Sequence, residues 1–435
     1  MPGASAQTKA PKSGPAEPGS AARATAPHRM ASPRPLPYHL AAATAVWTSS
    51  LAALPNLRSG SILFPPDLGS SNLAKRVEVL RADLAAVPTD AFAEALTREL
   101  RGRADRFLVG LETYRTHPYR RDLVDPPTVW EDGASRLLDF GAGADAGVGR
   151  SILVVPSLVN RHYVLDLDAD SSLMRYLAAR GLRPYLIDWG TPGPAEAGFA
   201  LDDYIVRRLG GALDAVLARS GEAPVLLGYC MGGNLALALA ALRPDAFAGL
   251  ALLATPWDFH VEAASQAQAL ATAFEPVWPC FEDLGTVPVD LLQSLFAALD
   301  PQLVLRKFMA FSALDPASPE AARFVALEDW LNDGVALPTP VARDCILGWY
   351  GENRPARGDW TVAGLVIDPN ALRLPAMVVV PAQDRIVPPA SALALAEALP
   401  KAVLRRPALG HIGMIVGRRA RRSVWGPLAR WIEGL

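Results

Sequence analysis

Residues 224–242 read PVLLGYCMGGNLALALAAL, an apolar run, a glycine-rich turn and a second apolar run without a break. The first part has the length of a buried β-strand and the last the length of a helix, so the stretch is strand, turn, helix. At its centre Gly228-Tyr229-Cys230-Met231-Gly232 has the form glycine, any residue, nucleophile, any residue, glycine. That is a nucleophile elbow, a turn so tight that side chains two positions either side of the nucleophile would collide. Gly228 and Gly232 are therefore sterically required. Cys230 is lifted above the sheet at a helix N-terminus, where the dipole favours a thiolate.

Outward from the elbow, short apolar runs alternate with helical stretches. SILVVP (Ser151–Pro156), RPYLIDW (Arg183–Trp189), GLALLAT (Gly249–Thr255) and AMVVVPA (Ala376–Ala382) are apolar on both faces, as strands of a helix-covered parallel sheet must be. The alternation predicts an α/β class chain with a mostly parallel, doubly wound sheet. Residues 259–360 interrupt it with about a hundred residues of helical pattern, read as a cap inserted over the C-terminal edge of the sheet. The catalytic domain is placed at residues 150–435, a mostly helical N-terminal region at 37–149, and a disordered Ala/Pro-rich tail at 1–36. Proline and glycine between Tyr38 and Asp67 predict irregular structure there, and helices follow from Asn72, with a stop at Pro88.

An elbow needs an acid and a histidine after the nucleophile in chain order. Asp384 ends the run AMVVVPAQ, and His411 lies in Leu409-Gly410-His411-Ile412-Gly413, giving the order Cys230, Asp384, His411. Asp258 is the alternative acid, and Asp188 reads as a structural hydrogen-bonding residue. His28 and His39 lie in or near the tail, His117 reads as a capping residue, and His162 and His260 lack a matching acid. The oxyanion hole draws on the Met231 N–H and on a second N–H after the run SILVVP, from Leu158 or Val159. Of the three cysteines, Cys280 and Cys345 read as inert. A cysteine nucleophile forms an acyl thioester that stays activated for transfer, which tilts the chemistry from ester hydrolysis to acyl transfer from a thioester.

Composition narrows the classes further. The 435 residues are 51% hydrophobic and carry 42 basic against 44 acidic residues, which gives no nucleic-acid footprint. No run is long and apolar enough to span a bilayer, residues 1–36 lack the apolar core of a signal peptide, and so few cysteines fit a reducing cytoplasm. Nothing in the sequence calls for a metal or a bound cofactor. Arg418, Arg419, Arg421 and Arg422 spread over more than half of a helix circumference, as on a solvated helix.

The motifs together resemble the polyhydroxyalkanoate synthases, in particular the class III catalytic subunits of the α/β-hydrolase superfamily. They are Leu158-Val159-Asn160-Arg161, Tyr163-Val164-Leu165-Asp166-Leu167, Tyr185-Leu186-Ile187-Asp188-Trp189-Gly190, Leu201-Asp202-Asp203-Tyr204-Ile205, the elbow, Ala326-Leu327-Glu328-Asp329-Trp330, Asp384-Arg385-Ile386-Val387-Pro388-Pro389 and Gly410-His411-Ile412-Gly413. Arg385 departs from the family, which more usually has histidine after the acid. The resemblance implies an α/β-hydrolase fold and polymerisation of (R)-3-hydroxyacyl-CoA with release of CoA, with the insertion forming an acyl or polymer channel. It also implies a second synthase subunit or a homodimer, and a place at the surface of cytoplasmic polyester inclusions. A cysteine α/β-hydrolase of dienelactone-hydrolase, thioesterase or esterase type is the alternative that the elbow alone leaves open.

Overall fold

The computed structural model describes residues 32–59, 71–142, 149–262 and 264–435. Strands β1 (Thr128–Asp132), β2 (Ser135–Asp139), β3 (Ser151–Val155), β4 (Arg183–Asp188), β5 (Val225–Tyr229) and β6 (Gly249–Leu253) precede the insertion. Within the insertion, β7 (Thr286–Val287) pairs with β8 (Leu337–Pro338), and β9 (Thr361–Val362) with β10 (Leu365–Val366). Strands β11 (Ala376–Val379) and β12 (Val403–Arg405) then complete an eight-stranded sheet of order β1-β2-β4-β3-β5-β6-β11-β12. From β4 to β12 every neighbouring pair is parallel, while β2 runs antiparallel to β1 and β4. The expected doubly wound α/β sheet is present, with helices on both faces.

Burial explains the strand sequences. Every residue of β3, β5, β6 and β11 is buried, which only sheets covered on both faces allow. Leu153, Val155, Leu226 and Leu252 join one core, and Ile152, Val154, Leu227 and Leu253 the other. Because side chains alternate along a strand, these are the two faces of the sheet. Cys230 packs against both cores.

The N-terminal part departs from its reading in several places. Strands β1 and β2 lie in the stretch assigned to the helical region, so the sheet begins ahead of residue 150. They form a hairpin through the two-residue turn Gly133-Ala134, with Gly133 at φ +56°. Where irregular structure was expected, α1 (Leu36–Ala52) and α2 (Leu54–Ser59) are helices. The proline in each first turn is compatible with helix, because the N–H it lacks has no intrahelical partner there. The tail assignment lies outside the described residues up to residue 31. Its end is docked: the Arg34 N–H donates to Asn332 Oδ1 at 2.8 Å and its guanidinium meets Asp290 at 2.7 Å.

Helices α3 (Ser71–Ala85) and α4 (Thr89–Thr116) follow. Helix α4 packs on the insertion helix Leu303–Phe311, with Phe107 and Tyr114 edge-on to Phe308. A Cβ on Gly110 would stand 2.2 Å from Phe308 O, so glycine sets how closely these helices approach. The insertion is mostly helical and runs past residue 360 through β9 and β10 before entering β11.

Candidate active site

After the antiparallel pair β1–β2, the parallel part of the sheet starts at β3 and winds out in both directions, placing β4 on one side and β5 on the other. The crevice at the C-terminal ends of β3 and β5 is thus the topological switch point, where doubly wound folds bind ligands. Cys230 follows β5, the loop Pro156–Arg161 follows β3, Asp384 follows β11 and His411 follows β12. One sheet edge therefore collects every proposed catalytic group.

At the elbow Cys230 has φ +55° and ψ −131°, a conformation that non-glycine residues avoid. Its N–H donates to Leu253 O at 2.8 Å, and the helix Met231–Leu242 starts at the next residue. The glycine requirement is literal. A Cβ on Gly228 would lie 2.4 Å from Gly233 Cα, and one on Gly232 would lie 2.2 Å from Val155 O and 2.5 Å from Pro156 O. The same contacts seat the loop after β3 directly on the start of that helix.

His411 and Asp384 are both buried, with Nδ1 of the imidazole 2.7 Å from Asp384 Oδ2. Asp384 Oδ1 accepts the N–H groups of Ile386 and Val387, each at 2.9 Å. Nδ1–H therefore donates to the carboxylate, which leaves the far ring nitrogen for its hydrogen bond with Cys230. Burial opposes charge on His411, but its interactions with the neighbouring Cys230 and with Asp384 outweigh it and push the pKa up to about 10. Tyr229 lies against the ring, tilted by 32° with 5.1 Å between centroids, and its hydroxyl donates to His411 O at 3.2 Å. Sequence reading passed over Tyr229, because the position between Gly228 and Cys230 carries no motif constraint. From the insertion, Tyr350 comes within electrostatic reach of Cys230; burial, then the Cys230 charge, push its hydroxyl pKa up.

A group whose pKa is raised on folding stabilises fully below its unfolded value, and that stability is lost as pH rises through the folded value. For His411 the window runs from about 6.5 up to about 10. The Tm difference between wild type and Cys230→Ala should therefore shrink as pH is raised from 7 to 10, measured by calorimetry. A difference independent of pH would contradict the pairing.

In the loop after β3, the Val159 N–H is taken by Ser157 Oγ at 3.3 Å. Among the described residues, the Leu158 and Met231 N–H groups have no hydrogen-bond partner. Asp258, the alternative acid, is spent elsewhere: its Oδ1 accepts from Asn353 Nδ2 and from the His260 N–H, each at 2.9 Å. The buried Asp188 accepts from Arg136 at 2.5 Å and from the Gly190 N–H at 3.0 Å. Its other neighbour corrects an expectation, since His162 Nδ1 lies 3.1 Å away and does have an acid beside it. The remaining histidines hold backbone: His117 meets Pro316 O at 2.8 Å, His260 meets Tyr350 O at 2.7 Å and His39 meets Arg34 O at 3.1 Å. His28 lies outside the described residues.

Cys345 is buried, which pushes its thiol pKa up, and Cys280 is exposed on the insertion. Arg418 pairs with Glu320, Arg419 donates to Ala408 O and Arg421 lies over the Tyr176 ring, so these arginines face different neighbours. Arg385 is 84% exposed and 3.7 Å from Asp300 of the insertion. Among the described residues no cluster of His, Cys, Asp and Glu is arranged to hold a metal, and no helix is long and apolar enough to cross a membrane.

A family model described as alpha/beta hydrolase fold matches residues 151–275. The chain is also similar to poly(3-hydroxyalkanoate) polymerase subunits named PhaC. With that of Haloferax mediterranei it shares 29% identity over 308 residues, 70% of this chain and 62% of the relative. With that of Synechocystis sp. identity is 29% over 341 residues, covering 76% and 90%. With that of Allochromatium vinosum it is 29% over 356 residues, covering 80% and 99%.

Proposed function

We infer, for a chain of α/β-hydrolase fold that is kin to the poly(3-hydroxyalkanoate) polymerases, an acyltransferase that builds polyester from (R)-3-hydroxyacyl-CoA. The observation that carries this reading is a thiol at the elbow, backed by a buried histidine and acid, in a chain with those relatives. A serine there would form an ester and lose the thioester energy at the first step. A thiol keeps it for the transfer.

In the acylation step His411 takes the Cys230 proton and the thiolate attacks the carbonyl carbon of the CoA thioester. The Met231 and Leu158 N–H groups receive the developing oxyanion, since both are unpaired and Val159 is engaged. Collapse breaks the bond to CoA, whose sulfur leaves with the proton from His411. In the second step a 3-hydroxyl of the chain or of another monomer attacks the Cys230 thioester while His411 accepts its proton. An ester bond forms and the thiol is restored. The insertion above the crevice supplies the acyl channel, with Phe259 in ring contact with both Trp349 and Tyr350.

The test supplies purified protein with 3-hydroxybutyryl-CoA and follows CoA release together with the product. Insoluble polyester is expected. Free 3-hydroxybutyrate in stoichiometric amount would make the chain a thioesterase instead, and no CoA release would end the reading.

A further inference from the structure

The loop that carries the oxyanion donor is fastened to the insertion rather than to the sheet alone. Its carbonyls are taken from outside: Pro156 O by Trp189 Nε1 at 3.0 Å, Val159 O by the Val335 N–H at 2.9 Å, and Arg161 O by Trp330 Nε1 at 2.8 Å. Asn160 and Gly334 form an antiparallel bridge beside them. Asp333 ties the same segment by side chains, accepting from the Tyr163 hydroxyl at 3.1 Å and from Arg161 Nε at 3.4 Å. The peptide before Leu158 is thereby held by Trp189 at the end of β4, and the peptides after it, at Val159 and Arg161, by residues 330–335, more than 160 positions away in the chain.

Those residues are held in turn by the N-terminal region. The Tyr114 hydroxyl of α4 donates to Asp329 at 2.8 Å, and Asn332 accepts the Arg34 N–H. An oxyanion donor works only when held to within about half an ångström of the productive geometry. A loop following a strand does not supply that rigidity by itself.

We propose that Asp333 is a positioning residue for acyl transfer: through Arg161 and Tyr163 it holds the loop that presents the Leu158 N–H to the oxyanion. The proposal rests on the reading of Cys230 as acyl acceptor. It does not depend on the substrate's being a hydroxyacyl-CoA, and its test uses a generic ester.

Two reactions of Cys230 separate positioning from folding. Acylation by p-nitrophenyl butyrate forms the Sγ–acyl bond, expels p-nitrophenolate and passes through an oxyanion; the p-nitrophenol burst reports it. Alkylation by iodoacetamide displaces iodide at a saturated carbon and forms no oxyanion; mass spectrometry of the Cys230 peptide reports it. Asp333→Ala should slow the burst by about 10- to 100-fold, below the loss for deleting an oxyanion donor outright. Its alkylation rate should stay within about twofold of wild type. Asp333→Asn should recover most of the burst rate, because the amide oxygen still accepts from Tyr163. An unchanged burst in Asp333→Ala would overturn the proposal. So would an equal fall in both reactions, which would place Asp333 in thiol activation or in the fold, and so would a wild type that the ester does not acylate. Failure of the synthase reading shows separately, as absence of polyester from 3-hydroxybutyryl-CoA with the ester burst intact.

Discussion

Cys230→Ala should lower CoA release from 3-hydroxybutyryl-CoA by about 10⁴-fold or more, the scale on which removing the nucleophile of a triad acts. The methyl group fits where the thiol was, because the neighbouring constraints fall on Gly228 and Gly232 rather than on the position 230 side chain. The positive φ at position 230 is no worse for alanine than for cysteine. Tm at pH 7 should therefore fall only by the lost pairing with His411. A folded variant with near-wild-type turnover would remove Cys230 from the chemistry and with it the acyl-thioester route. Cys280→Ala and Cys345→Ala serve as controls, since one side chain is exposed on the insertion and the other is buried.

How much of this could be read from the sequence follows from the range of the forces involved. The elbow is legible because it is local: within a few residues the glycines, the strand and the helix are each dictated by sterics and burial. The order of Cys230, Asp384 and His411 is legible because a parallel sheet delivers every strand end to one edge. Hairpin β1–β2 escapes the reading although Gly133 at the first position of its two-residue turn is a hairpin signal. Its charged residues, Glu131, Asp132 and Arg136, hid the strand character that pairing with β4 brings out. Strand β12 has three exposed residues at the sheet edge and no apolar run to betray it. Helix α1 escapes the reading because Pro55 and Gly60, with Pro65 and Pro66, count there as breakers of the whole stretch from Tyr38, whereas α1 ends at Ala52 before any of them and Pro55 falls in the first turn of α2. Nothing local could have shown that Asp333 reaches Arg161, or that Trp330 reaches the same segment. Those are tertiary contacts between the insertion and a loop of the sheet.

Asp384→Asn should cost about as much activity as losing the nucleophile's partner, about 10⁴-fold, with the fold intact. The reason lies in the two sides of the carboxylate. Oδ1 accepts two backbone N–H groups, from Ile386 and Val387, and Oδ2 accepts from His411 Nδ1. An asparagine has one oxygen to place. Facing its NH₂ group to two N–H donors would leave three buried donors against one another, so the oxygen stays with Ile386 and Val387. The NH₂ then faces His411 Nδ1 and makes that nitrogen an acceptor. The imidazole proton moves to the far nitrogen, the one that must take the proton from Cys230, and the base is blocked. The substitution also removes a charge that favours imidazolium, so the pKa of His411 should fall from its raised value. Two measurements check this together: a kcat loss with KM little changed, and a downward shift of the imidazole titration seen by NMR. Asp258→Asn is the counter-variant, because Asp258 braces Asn353 and the His260 N–H and does not touch His411. If Asp258→Asn abolished turnover while Asp384→Asn preserved it, the acid of the triad would have to be reassigned.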